Sequence, residues 1–330
     1  MKRLYNPTKR ARPRSVAPVF HIRFFCTFAA EILTSTFSKA NTMITTIEKP
    51  SDYRHFLLGI VFFALFEIVW WSISPLFFAL EGLTNPILVI IVEKLLKLAA
   101  FYYLFCKATV WDIQWKHLII VVALYAAVQL LGYLTLFSDF FDNHYLMKDY
   151  DISNLTLRKV RLWSWVITTL VIMSFLWWNF VASESGSESD TIDTTNRYLC
   201  GGMLFFLSFH FVLFSVNNVA NSYWPYTYHP VLLDCVFYPL LLAITVGTIY
   251  LIVRKKMVVL PLAVLLSLLA LFVFTKWFLP NIVFDHYSKL EPTDDFYVHF
   301  FTNVSYVCYF AVALTALYLY RKGKLDAPAL

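Results

Sequence analysis

The sequence predicts an all-α integral membrane protein with about eight transmembrane helices, arranged as two parallel four-helix repeats. Three observations support this prediction. Hydrophobic residues make up 59% of the 330-residue chain and charged residues only 15%, whereas soluble domains have roughly 45–50% and 25%. Apolar runs long enough to cross a bilayer recur along the chain. Finally, GIVFFALFE at 59–67 resembles GMLFFLSFH at 202–210, and the two segments lie 143 residues apart.

The similarity continues beyond these two segments. At the same offset Arg54 aligns with Arg197, and after one skipped residue NPILV at 85–89 aligns with HPVLL at 229–233. Because the order of these landmarks is preserved, we infer an internal duplication. The Ser-rich, acidic segment between the copies has the composition of a flexible linker. The predicted boundaries are 51–182 for the first repeat, 183–196 for the linker, 197–324 for the second repeat and 325–330 for a short tail.

A bilayer core of roughly 30 Å requires about 20 apolar residues in a helix. Eight such runs are present, at 56–80, 86–106, 117–137, 162–182, 198–218, 230–253, 258–277 and 299–320. Pro86 and Pro230 lie at the first turns of their helices, where the missing amide proton costs least. Pro75 is expected to kink or end the first helix.

Lys and Arg residues indicate the orientation. They are concentrated in the connections 107–116 and 254–257 and after residue 320, on the same side as the basic N-terminus. The positive-inside rule therefore predicts that both termini are cytoplasmic. The connection at 138–161 is a partial exception, because it holds four basic residues beside four acidic ones.

Residues 1–50 form a basic N-terminal extension. Residues 1–42 contain eight Lys or Arg and one acid, Glu31, so the rest of the chain has a net charge of −1 although the total is +6. The basic pI therefore gives no support for nucleic-acid binding. Three interpretations of the extension are a disordered arm on anionic lipid, an organelle-targeting presequence, or a misassigned start with translation beginning at Met43. We favour Met43, because MITTIEKPSDYRHF leads directly into the first span and is typical of a bacterial N-terminus, which predicts a bacterial cytoplasmic membrane.

Ionisable residues inside membrane spans are costly and are candidate functional residues. The first span contains Glu67, and the second contains Glu93, Lys94 and Lys97. Glu67 lies about 16 Å and Lys94 about 18 Å from the cytoplasmic end, so we expect an ion pair between them. Glu93 and Lys97 are spaced to share one helix face. This cluster either neutralises itself and fixes helix register, or forms a polar centre that senses or conducts a solute.

The second repeat does not keep this cluster. Glu67 aligns with His210, and Asp234 is the acid that remains nearby, which suggests a His210–Asp234 hydrogen bond. At the outer ends of the third and seventh spans both repeats have an Asp-His-Tyr group, a candidate for cation binding or titration but better suited to helix capping and interfacial anchoring. These outer candidates are Asp142, His144, Tyr145, Asp285, His286 and Tyr287.

Neither the cysteine spacing nor any sequence motif predicts a disulfide, a metal site or a catalytic site. The five cysteines show no CxxC spacing, so neither a disulfide framework nor a metal site is expected. No phosphate-binding loop or hydrolase motif occurs, so we predict no cofactor and no enzymatic activity.

The stretch VFYPLLLAITVGTIYLIVRKKMVVLPLAVLLSLLALFVF at 236–274 contains an apolar helix, a basic turn and a second apolar helix. This pattern resembles the membrane-embedded input region of bacterial LytS-like sensor histidine kinases. The resemblance covers 51–324 in two copies. In that family the input region leads to a kinase domain, whereas YLYRKGKLDAPAL contains neither a phospho-acceptor box nor an ATP-binding box, so kinase activity is not implied.

Two classes of function follow. The first is a sensory or regulatory module in the lipid bilayer that acts through a cytoplasmic kinase or regulator, alone or as a homo-oligomer, without catalytic output. The alternative is a small transporter or channel built from parallel repeats, with the charged cluster of the first repeat at its centre. A membrane scaffold without a ligand also fits the sequence.

Overall fold

The computed structural model describes residues 43–133, 154–185, 191–227, 233–280 and 295–325. Within these ranges the chain forms eight α-helices and two short β-strands. In chain order they are β1 Met43–Thr46, α1 Pro50–Leu83, α2 Pro86–Lys107, α3 Trp115–Tyr133, α4 Asn154–Ser185, α5 Thr191–Thr227, α6 Tyr238–Val253, β2 Lys256–Val259, α7 Leu262–Val273 and α8 Asp295–Leu325. Short π-helical segments precede α6 at Leu233–Phe237 and follow α7 at Phe274–Phe278. Each predicted span overlaps one of these helices.

Five of the described helices are long and apolar enough to cross a membrane. Their apolar segments are Pro50–Phe77 in α1, Thr156–Val181 in α4, Thr195–Ser222 in α5, Asp234–Val253 in α6 with the π-helical segment before it, and Asn303–Gly323 in α8. Shorter apolar segments are Trp115–Val128 in α3 and Leu262–Phe278 in α7 and its extension. The remaining helix, α2, carries Glu93, Lys94 and Lys97 within its apolar run. These helices suit an integral membrane protein of the all-α class.

Helices α1 and α5 form the centre of the bundle. In the most apolar 18-residue stretches of their segments 78% and 83% of the residues are buried, against 17% in that of α6. Phe56 and Phe63 of α1 and Phe206 of α5 are among the largest fully buried side chains. By contrast, α2 keeps apolar side chains such as Leu88 and Leu95 exposed. Such an exposed apolar face is suited to contact with lipid.

Two glycines allow α1 and α5 to cross with their backbones in contact. A Cβ atom added to Gly59 would lie 3.1 Å from the carbonyl carbon of Leu199 and closer still to its oxygen. A Cβ added to Gly202 would lie 3.0 Å from the carbonyl carbon of Phe56 and again closer to the oxygen. The obstacle at each glycine is backbone of the facing helix. Both positions therefore require the absence of a side chain, as in close helix contacts in membranes.

The two strands join the start of the described chain to the α6–α7 connection. β1 pairs with β2 in antiparallel register over four residues. Just after β1, the amide of Ile47 donates to the carbonyl of Lys255 at 2.9 Å. In the first turn of α1, the hydroxyl of Tyr53 donates to the carbonyl of Ile252 at 2.9 Å. These bonds place the beginning of α1 and the end of α6 at one end of the bundle.

The end of α8 and the α2–α3 connection lie at this same end. The guanidinium of Arg54, next to Tyr53, lies 5.5 Å from the ring centroid of Tyr320 in α8. The following residue, Arg321, pairs with Asp112 in the α2–α3 connection at 3.3 Å. We call this the basic end, because the connections that meet here carry the Lys and Arg residues of 107–116, 254–256 and 321–322.

At the opposite end of α1, Glu81 is linked to α4. Its carboxylate accepts from the guanidinium of Arg161, and only 2% of the Glu81 surface is exposed. Burial raises the pKa of the Glu81 carboxyl, and the guanidinium of Arg161 acts in the opposite direction.

Several predicted boundaries differ from the structure. The predicted extension at 1–50 includes β1 and Ile47, which is 2% exposed, because this segment pairs with the α6–α7 connection; residues 1–42 lie outside the described residues. For the same reason the seventh helix begins at Leu262 and not at residue 258, since Lys256–Val259 forms β2.

Helix ends also differ from the predictions. α1 does not stop at Pro75 but continues to Leu83. α4 and α5 extend into the predicted linker at 183–196, of which only 186–190 lies outside the described residues. Pro86 occupies the first turn of α2, which confirms its predicted position; Pro230 lies outside the described residues.

Candidate functional site

The four charged residues predicted as a cluster form two ion pairs. One joins Glu67 of α1 to Lys97 of α2, and the other joins Glu93 to Lys94 within α2. Lys97 Nζ lies 2.9 Å from Glu67 Oε1 and 3.0 Å from Oε2. Lys94 Nζ lies 2.7 Å from Glu93 Oε2, and Trp70 Nε1 donates to Glu93 Oε1 at 3.1 Å. Glu67, Glu93 and Lys97 are 7%, 5% and 6% exposed. Each buried charge in this cluster therefore has a partner of opposite sign, as buried charges require.

The predicted Glu67–Lys94 pair is wrong, because the partner of Glu67 is Lys97. Depth in the membrane alone suggested Lys94, but one residue rotates a side chain by about 100° around a helix. Glu93 and Lys97 are four residues apart and share the buried face of α2. Lys94 lies beside this face and turns back to Glu93.

A cavity of about 120 Å³ lies beside the Glu67–Lys97 pair. Six helices line it: α1, α2, α4, α5, α7 with its π-helical extension, and α8. Its lining includes the polar side chains of Glu67, Lys97, Thr169, His210 and Lys276 beside the aromatic residues. Positions 67 and 210, which align in the two predicted repeats, therefore face the same space from α1 and α5.

Aromatic rings form most of the remaining wall. The Trp71 ring lies 6.0 Å from the ring of His210 and 5.4 Å from that of Tyr306. Trp165 stacks on Phe272 with centroids 5.0 Å apart. A cavity with rigid apolar walls and a few polar groups has the composition of a small-ligand site.

The cavity ends near the α1–α5 crossing. The lining residues closest to the crossing are Phe63 and Leu207, and Gly59 and Gly202 lie about one turn farther toward the basic end. Between them, the rings of Phe63 and Phe206 pack 6.5 Å apart. The backbone contact at the glycines leaves no room for a solute to pass between the two helices.

His210 does not bond to Asp234, contrary to the prediction. Asp234 is exposed in the π-helical segment before α6, whereas His210 lies 4.7 Å from the ring of Phe214 and 5.9 Å from that of Phe272. His210 Nδ1 is buried and has no hydrogen-bond partner within the described ranges. The prediction failed because α6 lies at the periphery of the bundle, while His210 points into its interior.

Lys276 is the functional candidate that sequence reasoning missed. It lies in the π-helical segment Phe274–Phe278 and lines the cavity. A charged residue inside the apolar run at 258–277 was a sufficient signal to find it. Thr169 and Trp165 could not be found in this way, because nothing in the local sequence of α4 indicates which face meets the cavity. The outer candidates Asp142, His144, Tyr145, Asp285, His286 and Tyr287 lie outside the described residues.

Comparison with known proteins gives no match to a protein-family model, to a curated protein or to a solved structure. The resemblance to LytS-like input regions therefore stays a prediction.

Proposed function

We propose that this protein is a sensory or regulatory membrane module that binds a small solute in the cavity between α1 and α5. The observation that carries the proposal is a charged, ring-lined cavity beside which α1 and α5 touch through their backbones at the glycine crossing, so that no passage runs between these two helices. A channel needs a continuous path, and a carrier needs its binding site to open to both sides. A cavity that ends where two backbones touch favours binding and signalling over conduction.

We further propose that the chain consists of two parallel four-helix repeats with eight membrane spans. The crossing supports this organisation because it is reciprocal: Gly59 meets Leu199 and Gly202 meets Phe56, and both pairs obey the offset of 143 found in the sequence. The aligned arginines are also reciprocal, because each contacts the last helix of the other predicted repeat. Arg54 of α1 lies over Tyr320 of α8, and Arg197 of α5 lies 5.4 Å from the ring of Phe180 in α4.

We assign the basic end to the cytoplasm, which makes both termini cytoplasmic in a bacterial cytoplasmic membrane. The support is the concentration of Lys and Arg in the connections that meet there. A change in the cavity would reach this end through α1, α5 and α8, which extend from the cavity to it. A cytoplasmic kinase or regulator, or a second copy of the chain, would receive the change there.

Signalling can be tested without knowing the ligand by filling the cavity with a side chain. Thr169→Phe places a ring in the cavity, and Val171→Phe, an exposed position of the same helix, is the matched control. We expect Thr169→Phe to speed amide hydrogen exchange in β1 and β2 without changing exchange in α6. Unchanged strands, or a uniform rise along the chain, would contradict coupling between the cavity and the basic end.

A flux assay tests the alternative function. Proteoliposomes containing wild type are compared with empty liposomes for H⁺, Na⁺, K⁺ and chloride flux. We expect no difference between them. Flux that Glu67→Gln abolishes would overturn the sensory proposal and identify a transporter or channel.

A further inference from the structure

Lys276 brings a positive charge to the cavity that the described acids do not balance. Its Nζ lies 5.6 Å from the ring centroid of Phe272 and 5.7 Å from that of Trp165. Lys276 lines the cavity, and its ammonium group lies against two of the aromatic rings of the cavity wall. The helix is π-helical at this residue, a distortion that occurs frequently at functional sites.

The neighbouring acids are already engaged. Both oxygens of Glu67 contact Lys97, and Glu93 is held by Lys94 and Trp70. Across the ranges that the structure describes, no carboxylate lies within ion-pair distance of Lys276. Among the described residues, the lining therefore contains two lysines, Lys97 and Lys276, and one acid, Glu67.

The unpaired nitrogen of His210 adds a second polar group. His210 and Lys276 both lie against the Phe272 ring, and His210 Nδ1 lacks a hydrogen-bond partner in the described part of the chain. In its N–H form this nitrogen donates. A lysine amine and an unpaired imidazole nitrogen therefore lie next to one cavity, and polar groups of this kind are costly when they stay unpaired in a membrane interior.

We propose that the cavity binds a small monovalent anion, with Lys276 as its counter-charge. This inference rests on the proposed function, because it names the ligand class of the same cavity. The volume of about 120 Å³ is somewhat smaller than that of a cavity of about 150 Å³ that binds benzene. An anion with up to about four non-hydrogen atoms, such as chloride, nitrate or acetate, matches this volume, the excess of lysine over acid in the lining and the aromatic walls.

The test is calorimetric titration of the full chain in nanodiscs with chloride, nitrate and acetate. Sodium gluconate, which is too large for the cavity, keeps the ionic strength constant. Acetamide is the neutral counterpart of acetate. We expect at least one of the three anions to bind to wild type and acetamide not to bind.

Three variants isolate the role of Lys276. Lys276→Met should weaken anion binding by about tenfold or more, the loss expected for one hydrogen bond to a charged group. Lys276→Arg keeps the charge and should retain most of the affinity, and Lys322→Met, at the exposed end of α8, should bind as wild type does. The proposal is overturned if acetamide binds as acetate does, if Lys276→Met binds the anion unchanged, or if none of the three anions binds.

These outcomes are separate from those for the proposed function. If none of the three anions binds but Thr169→Phe changes amide hydrogen exchange in β1 and β2, the anion proposal is rejected and the sensory function is retained. Anion binding together with chloride flux would keep the site and reject the sensory function.

Discussion

The crossing of α1 and α5 predicts a large loss of stability on adding a single methyl group. In Gly59→Ala the new Cβ lies 3.1 Å from the Leu199 carbonyl carbon and the Met203 nitrogen, and closer to the Leu199 oxygen. Carbon atoms in contact prefer about 3.5–4.0 Å, so the helices have to separate by about 1 Å. The obstacle is backbone, which cannot rotate away as a side chain can. Overpacking of this kind costs about 1–3 kcal/mol, and we expect the upper part of that range.

Two other glycines provide matched controls. In Gly201→Ala the methyl group meets the Met257 sulfur at 2.6 Å, but a thioether chain is flexible and moves at little cost. In Gly247→Ala the methyl group meets nothing within 4 Å, so the variant should be stabilised by up to about 1 kcal/mol through its better helix propensity. The reciprocal variant Gly202→Ala should behave as Gly59→Ala does.

Thermal or denaturant unfolding of the purified protein, followed by helical circular dichroism, measures these differences. The double variant of Gly59 and Gly202 should lose less than the sum of the single losses, because the first methyl group has already separated the helices. If Gly59→Ala and Gly202→Ala were as stable as Gly247→Ala, the helices would not touch through their backbones. The two helices would then also leave space for a solute to pass between them.

Two further predictions concern α2. Lys97→Met leaves Glu67 buried and unpaired and should lower the free energy of unfolding by about 3–5 kcal/mol; the double variant with Glu67→Gln should recover most of that loss, and Lys107→Met, an exposed control, should cost little. Asn85→Ala removes the cap whose side chain accepts from the amides of the next turn and should cost about 1 kcal/mol, whereas Asn85→Asp keeps the acceptor. Equal stability of Lys97→Met and Lys107→Met, or of both Asn85 variants, would contradict these assignments.

Helices could be predicted from the sequence because each depends on a local run of apolar residues. The eight predicted runs therefore overlap eight helices. The errors concern features that depend on distant residues. β1 and β2 are four residues each and become strands only by pairing across about 200 positions of sequence, so Met43–Thr46 was assigned to an extension and Lys256–Val259 partly to a helix.

The sequence was sufficient to predict which charged residues belong to the site, but not which of them form ion pairs with each other. The charged residues Glu67, Glu93, Lys94 and Lys97 were found because charge is rare in apolar runs. Which lysine meets Glu67 depends on the rotation of α2 about its axis, which is set by packing against α1. Lys276 carried the same signal and lies about 180 residues away in sequence, so only the fold brings it to the same cavity.

In the two-repeat organisation that we propose, the arrangement would let a duplicated framework carry a single site. Helices that cross at equivalent glycines bring equivalent positions to opposite sides of the same space, so residues 67 and 210 meet one cavity and not two. Glutamate at both positions would place two acids there, and one of them could neutralise Lys276. With histidine at 210, the nearby acid is Glu67, which forms an ion pair with Lys97. Lys276 can then interact with a solute. In the two-repeat organisation that we propose, divergence between the copies would create the binding site, while the glycines at equivalent positions keep α1 and α5 in contact.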